Sequence, residues 1–138
     1  MFLSDDDFRV VIGDAALRAV SQLSAENRDN AVAIAVDEIS SYLRPDYDVA
    51  AIFSAVGPDR NRMIVTYAVD IALYHLNAAM PQKLGSEVRK ERYERAIRWL
   101  EGVLAGKIVP ELPRAEADQS GAGSSTVFFS NRKLRHNW

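Results

Sequence analysis

The feature that most restricts the fold of this chain is a stretch from Asp59 to Ala79 that is apolar on almost every side. A helix at a protein surface keeps a polar face toward water, so a helix that is apolar all round needs neighbours on several sides. Gly57-Pro58 sets off its start. Its most apolar part, residues 63–76, is shorter than the roughly 20 residues that cross a bilayer and contains Asp70 and His75. We therefore expect a central core helix and no membrane span.

Three more segments show the 3.6-residue periodicity of amphipathic helices. Ser4 is expected to cap a first short helix that Gly13 ends, before a second short turn that reaches Val20. A long helix follows from Ser24 and stops before Pro45, because the proline ring disfavours helical geometry in the residue that precedes it. Both boundaries are local signals that need no knowledge of the tertiary fold.

The clearest of these helices is the last one, from Ser86 to about Ala105, with Gly106 suited to a left-handed C-terminal cap. A short helical turn is also predicted over residues 48–53. The side chains expected to face the core are Phe8, Val11 and Ile12 in the first helix, Ala31, Ile34, Ala35, Ile39, Tyr42 and Leu43 in the second, and Tyr93, Ala96, Ile97, Leu100 and Leu104 in the last. The sequence thus predicts an all-α fold, a compact bundle of about four to five helices.

The C-terminal part of the chain has a different character. Pro110 and Pro113 are followed by Ser/Gly-rich residues 118–125, which are typical of a flexible linker. Residues 126–130 have the composition of a short strand, which could join the sheet edge of a partner. We predict a helical domain over residues 1–106 and an extended arm over residues 107–138. A tail folded back on its own domain, or one disordered in isolation, is the alternative.

The end of this arm is too apolar for a tail that only improves solubility. The residues predicted to bind a partner are Phe128, Phe129, Arg132, Lys133, Leu134, Arg135 and Trp138. Three basic side chains make only a modest case for DNA, so we expect no more than non-specific contact with a passing phosphate backbone. The arm is therefore predicted to bind another protein.

Composition excludes several classes of function. The net charge is −2 over 138 residues, without the excess of Lys and Arg that binding to a phosphate backbone requires. The absence of cysteine excludes disulfides, thiolate zinc sites and cysteine nucleophiles. The sequence has no glycine-rich phosphate loop, no nucleophile elbow and no paired Glu-x-x-His motif. We therefore expect neither catalysis nor a cofactor or metal, and no secretory signal in the acidic start of the chain.

One polar stripe interrupts the apolar central helix. Arg62, Thr66, Asp70 and Tyr74 follow each other at four-residue steps, which places them along one face. A carboxylate at position 70 is costly to bury unless it is paired or hydrogen-bonded. The stripe is consistent with a solvated strip, with a contact to a neighbouring helix, or with a contact to a neighbouring subunit. We take these four residues as the candidate subunit interface.

Other conspicuous side chains have simpler explanations. His75 lies on the apolar ridge and is expected to be a hydrogen-bonded core histidine, and Trp99 to pack in the core or an interface. Asp37 and Glu38 are explained by capping and solvation, because no second group is fixed beside them by the sequence. The run of residues 89–92, Arg-Lys-Glu-Arg, is explained as a solvated helix face of mixed charge.

Several short motifs together point to a known family. They are Phe2-Leu3 before the acidic helix start, Tyr42-Leu43-Arg44-Pro45-Asp46-Tyr47-Asp48, Asp70 with Tyr74-His75-Leu76, Arg92-Tyr93 with Trp99-Leu100, and Gly106-Lys107-Ile108 followed by Leu112-Pro113. Over most of its length the chain resembles a Mu-like tailed-phage family of unknown function. That family is similar in its helical layout to the head-to-tail connectors, or adaptors, of long-tailed phages.

The resemblance implies a structural subunit of a phage or prophage virion neck, present in the host cytoplasm during assembly. Such a subunit would be a monomer alone and a ring homo-oligomer in the virion, a dodecamer to match the portal. The ring would join the portal protein to a tail-side neck protein and leave a central DNA channel, without contact to a membrane. A second hypothesis is a helical binding or regulatory module that acts on DNA or on a host protein.

Overall fold

A computed structural model describes residues 1–21, 25–78 and 85–116 of the chain. Within these ranges the protein is a bundle of five α-helices, with a 3-10 turn at Gly57–Asp59. The helices are α1 (Asp5–Ser21), α2 (Ala25–Leu43), α3 (Val49–Ser54), α4 (Arg62–Asn77) and α5 (Ser86–Leu104). The predicted all-α class is confirmed, and no helix in these ranges is long and apolar enough to cross a membrane.

Helix α4 is the centre of the bundle, as its apolar sequence predicts. It packs against α1, α2 and α5, and Ile64, Ala68 and Ile71 are fully buried. The helix begins three residues later than the sequence suggested, because the side chain of Asn61 accepts hydrogen bonds from the backbone amides of residues 63 and 64. This N-cap satisfies two amides that have no partner inside the helix.

Helix α1 is bent at Gly13, where the sequence predicted an end. The backbone there has φ 76° and ψ 172°, a region that is open essentially to glycine alone. At the start of α1, the carboxylate of Asp7 accepts from both the amide and the hydroxyl of Ser4, at 2.7 and 2.9 Å. Phe8 and Val20, on either side of the bend, are both buried. The end predicted at Gly13 is therefore confirmed, and α1 consists of two short helical segments that join at this residue.

The predicted core faces of α2 and α5 are right except at one residue in each. Ile34 is 39% exposed and Leu104 is 47% exposed, whereas Val32 and Val103 are buried in the same turns. Each wrong assignment sits at the edge of its helix's apolar face, where spacing alone does not decide which of two apolar residues in one turn is buried. The N-cap predicted at Ser24 lies outside the described residues.

The chain turns back onto the bundle after α5. Gly106 adopts φ 74°, which confirms the predicted left-handed cap, and the amides of residues 107 and 108 donate to the carbonyl of Gly102. Ile108 lies so close to Gly102 that a β-carbon there would stand 2.7 Å from its Cδ1 atom. Residues 47 and 114 then form an antiparallel bridge. Residues 107–116 therefore lie against the helices, and the rest of the predicted arm lies outside the described residues.

Arg60 ties three separate parts of the chain together. Its guanidinium donates to the carbonyl oxygens of Phe2 (2.8 Å) and Gly57 (3.0 Å), and to both carboxylate oxygens of Asp7 (2.7 and 3.1 Å). Burial acts to raise the pKa of Asp7, but hydrogen bonds from Arg60 and Ser4 outweigh it and lower the pKa overall. We call this arrangement the Arg60 clamp. It fixes the N-terminal segment and α1 to the turn before α4.

Candidate functional site

The polar stripe on α4 is divided by α5 into two halves. Arg62 and Thr66 are exposed, and the Thr66 hydroxyl donates to the carbonyl of Arg62 within the helix. Asp70 is buried and Tyr74 is partly buried, because α5 covers this part of α4. The four residues predicted as a subunit interface therefore do not share one surface. Residues 62 and 66 are accessible to a neighbouring molecule, Tyr74 is accessible only in part, and Asp70 is not.

Asp70 and Arg92 form an ion pair between α4 and α5. The Arg92 Nε atom donates to the Asp70 carboxylate at 2.8 Å, and the Asp70 side chain is only 4% exposed. This is one of the options that the sequence left open, a satisfied contact to a neighbouring helix. The pair fixes how α5 lies along α4.

Arg89 stands close to this pair, and its side chain is 93% buried. Its Nε and Nη1 atoms are buried and find no hydrogen-bond acceptor among the described residues. Burial lowers the pKa of Arg89, the like charge of Arg92 lowers it further, and the Asp70 carboxylate partly offsets both. The Asp70 carboxylate therefore forms an ion pair with Arg92 and also acts, without a hydrogen bond, on the buried charge of Arg89.

A second polar cluster joins α2, α4 and α5 beside this one. The Tyr93 hydroxyl donates to one oxygen of Glu38 at 2.5 Å, and the other oxygen lies 3.2 Å from His75 Nε2. The ring of Tyr74 stacks on Tyr93, with centroids 4.0 Å apart. Burial, followed by the hydrogen bond to Glu38, raises the pKa of Tyr93 well above its ordinary value. His75 is hydrogen-bonded, as predicted, whereas Glu38 is a partner in this cluster and not a merely solvated side chain.

Sequence reasoning missed the role of the basic residues of α5. Residues 89–92 were interpreted as a solvated face, which is wrong for Arg89 and Arg92. A signal was present, because residue 89 precedes Tyr93 by four positions and so continues the face that Ala96, Leu100 and Val103 bury. Trp99, by contrast, packs against Tyr67 with ring centroids 5.0 Å apart, as expected.

The accessible surface has an apolar end. Successive contacts run from Tyr74 with Tyr93 to Tyr67 with Trp99, so α4 and α5 are antiparallel and the start of α4 lies beside the end of α5. At this end Asn61 also contacts the carbonyl of residue 111. Four of the exposed large apolar side chains belong to the same end of the bundle. They are Val56 (72% exposed), Met63 (43%), Leu104 (47%) and Val109 (66%). We call these four residues the apolar end.

The described contacts fix helices against each other and leave the apolar end and the exposed Arg62 to face outward. Within the described ranges no three His, Cys, Asp or Glu side chains are grouped to hold a metal ion. The predicted partner-binding residues of the arm, from Phe128 to Trp138, lie outside these ranges. The described surface therefore presents the exposed apolar side chains of the apolar end beside the charged side chain of Arg62.

Comparison with known proteins decides the family. A family model described as Bacteriophage Mu, Gp36 matches residues 3–129. The chain belongs to the bacteriophage Mu Gp36 family. The Mu-like phage relationship predicted from short motifs is therefore confirmed. No curated protein and no solved structure matches the chain. The Gp36 match includes every described helix and extends into the arm as far as Phe129.

Proposed function

We propose that this Gp36-family chain is a structural subunit of a phage or prophage virion neck. In this proposal it forms a ring between the portal protein and a tail-side neck protein, around a channel for DNA, and carries out no catalysis. It assembles in the host cytoplasm and remains in the virion. Membership of a phage family supports the setting, and the surface of the bundle supports an assembly role.

The observation that carries the proposal is the apolar end. Exposed apolar side chains gathered at one place mark contacts with other proteins more often than chance exposure does. Here they come from three segments, the turn before α4, the start of α4 and the chain from the end of α5. A subunit in a ring needs a surface that is buried only on assembly, and a head-to-tail ring uses two different surfaces on each subunit. The apolar end supplies one of them.

A double substitution, Met63→Lys with Val109→Lys, tests this role. Both side chains are exposed, so the free energy of unfolding should change by no more than about 0.5 kcal/mol per site. Association with the portal or with further copies should weaken at least about tenfold, because an unpaired charge in an apolar contact costs more than the 1.4 kcal/mol that corresponds to that factor. Sedimentation of the chain mixed with its portal measures the association, and chemical unfolding measures the stability.

Val88→Lys is the matched control for this experiment. Val88 is 51% exposed on α5, but it lies at the start of that helix and therefore at the opposite end of the antiparallel pair. The control should assemble like the unmodified chain. Normal assembly by the Met63/Val109 variant, with its fold intact, would remove the apolar end from the proposal.

A further inference from the structure

An open groove lies between α2 and the N-terminal segment. Its volume is about 430 Å³, within the roughly 300–1,000 Å³ of pockets that hold compact ligands. Phe2, Val32, Val36 and Phe53 form its apolar walls, and the rings of Phe2 and Phe53 meet edge to face at 4.9 Å. The groove can therefore hold apolar side chains without any rearrangement of the helices.

Two acidic side chains border this groove. Asp29 and Asp37 both line it, both are exposed, and neither makes an ion pair with any described residue. They are eight residues apart on α2, which at 1.5 Å per residue places their backbones about 12 Å apart along one face of the helix. A ligand suited to this surface has apolar side chains for the walls and two cations spaced by about that distance.

We propose that residues 126–138 of the chain itself, the end of the C-terminal arm, dock in this groove. The segment carries three basic side chains and no acidic one, so the net charge of −2 is the sum of +3 in this segment and −5 in the rest of the chain. In an extended segment Lys133 and Arg135 project from the same side about 7 Å apart, and their long side chains can reach toward the two aspartates. Phe128, Phe129 and Trp138 supply the side chains that the apolar walls accept.

The connection between arm and body is long enough for this docking. The amide of Ala115 donates to the carbonyl of Asp46, so the described chain ends next to the C-terminal end of α2. Asp37 lies six residues, or about 9 Å, before the last residue of that helix. The twelve residue-to-residue steps from Glu116 to Phe128 span about 19 Å on average as a flexible chain. Such a short tether gives the arm an effective concentration of the order of millimolar at the groove.

Docking at the groove does not depend on the role in the virion neck, since it concerns the chain by itself. Between copies, the same contact would link the arm of one subunit to the body of the next, which is the head-to-tail geometry of a ring. The segment that occupies the groove is the same whether it comes from the same chain or from a neighbouring copy. A disulfide trap can detect both, because the natural chain contains no cysteine.

The full-length chain with Ala33→Cys and Asn131→Cys tests the proposal. Ala33 is exposed in the groove, and residue 131 is in the arm next to the basic residues. Under mild oxidation this pair should form a disulfide at least about tenfold faster than the control pair Glu101→Cys with Asn131→Cys, whose first site is exposed on α5 outside the groove. Non-reducing electrophoresis follows the reaction and separates links within one chain from links between chains, and either kind supports the proposal if it is specific to the groove.

Charge reversal supplies the second part of the test. Asp29→Lys with Asp37→Lys should slow the Ala33–Asn131 disulfide to the rate of the control pair, and the matched reversal Glu91→Lys with Glu101→Lys on α5 should leave it unchanged. All four side chains are exposed, so these variants keep the fold. Equal rates of disulfide formation at residues 33 and 101 would overturn the proposal. So would a rate at residue 33 that does not change when the charges of Asp29 and Asp37 are reversed.

Discussion

Replacing Asp70 with alanine should lower the free energy of unfolding by about 3 kcal/mol or more, although the side chain is small and makes one ion pair. Removal of one partner from a buried pair typically costs about 3–5 kcal/mol, because the remaining charge stays buried without compensation. Arg92 is 37% exposed and can recover some contact with water. Arg89 is 93% buried and cannot, so the loss of the nearby carboxylate should also destabilise this second guanidinium. Urea unfolding followed by circular dichroism measures the change.

The contribution of Arg89 can be separated by a double variant. Arg89→Met removes a buried charge whose Nε and Nη1 atoms have no acceptor among the described residues, and methionine fills a similar space. Asp70→Ala combined with Arg89→Met should therefore be more stable than Asp70→Ala alone by at least about 1 kcal/mol. Glu101→Ala, an exposed carboxylate on the same helix pair, is the control and should change stability by no more than about 0.5 kcal/mol. Strictly additive effects of the two substitutions would contradict this account of the charges.

Replacing Arg60 with alanine should cost about 3 kcal/mol, the second large effect expected from the structure. The substitution breaks an ion pair whose side chains are 16% and 13% exposed, and it also leaves the carbonyl of Phe2 without its donor. Arg9→Ala is the matched control. Arg9 also pairs with two aspartates of α1, Asp6 and Asp14, but it is 49% exposed, and surface pairs of that kind contribute about 0–1 kcal/mol. Equal losses in the two variants would show that the Arg60 clamp is no stronger than a surface pair.

The pH dependence of stability gives an independent readout of the Arg60 clamp. The pKa of Asp7 is lowered in the folded chain, so the folded state binds this proton less tightly than the unfolded state does. The stabilisation is therefore complete above the ordinary aspartate value, about pH 4, and is lost as the pH falls through the lowered pKa. Arg60→Ala should reduce this acid-side loss relative to the unmodified chain. An unchanged acid limb in unfolding curves between about pH 2 and 5 would contradict the assignment.

Most helix boundaries were predictable because their signals are local. Pro45 ends α2, Gly106 caps α5, and the bend of α1 falls at Gly13, each for a reason contained in a few neighbouring residues. The central place of α4 followed from its composition alone. The errors at Ile34 and Leu104 arose where two apolar residues of the same helical turn could face the core, a choice that the packing of neighbouring helices decides.

The polar contacts between helices were much less predictable. Asp70 was correctly expected to need a partner, but its partner is 22 residues away on a helix with five basic side chains. Only the antiparallel register of α4 and α5 selects Arg92 from that set. The same holds for Glu38, whose contacts with His75 and Tyr93 join three helices. Such pairings depend on tertiary geometry, and one sequence contains no local pattern that identifies them.

The groove and the apolar end depend on the same tertiary arrangement. Phe2 can form a wall of the groove because the Arg60 clamp holds its backbone, and Val109 belongs to the end of the bundle where α4 begins because the chain turns back after α5 and residue 111 contacts Asn61. A destabilising change at Arg60 should therefore also weaken docking of the arm. No such link is expected for changes at Val88, which lies at the start of α5, away from the apolar end, and does not line the groove.

Electron cryomicroscopy of virions, or of the chain reconstituted with its portal protein, tests the central claim most directly. The neck proposal predicts a closed ring of this chain between portal and tail, with the apolar end buried against a neighbouring protein and an open axial channel. Virions with joined tails and no copy of this chain would contradict it. So would a chain that is absent from particles and binds DNA as a monomer in a salt-sensitive manner, which is the behaviour expected of a regulatory module.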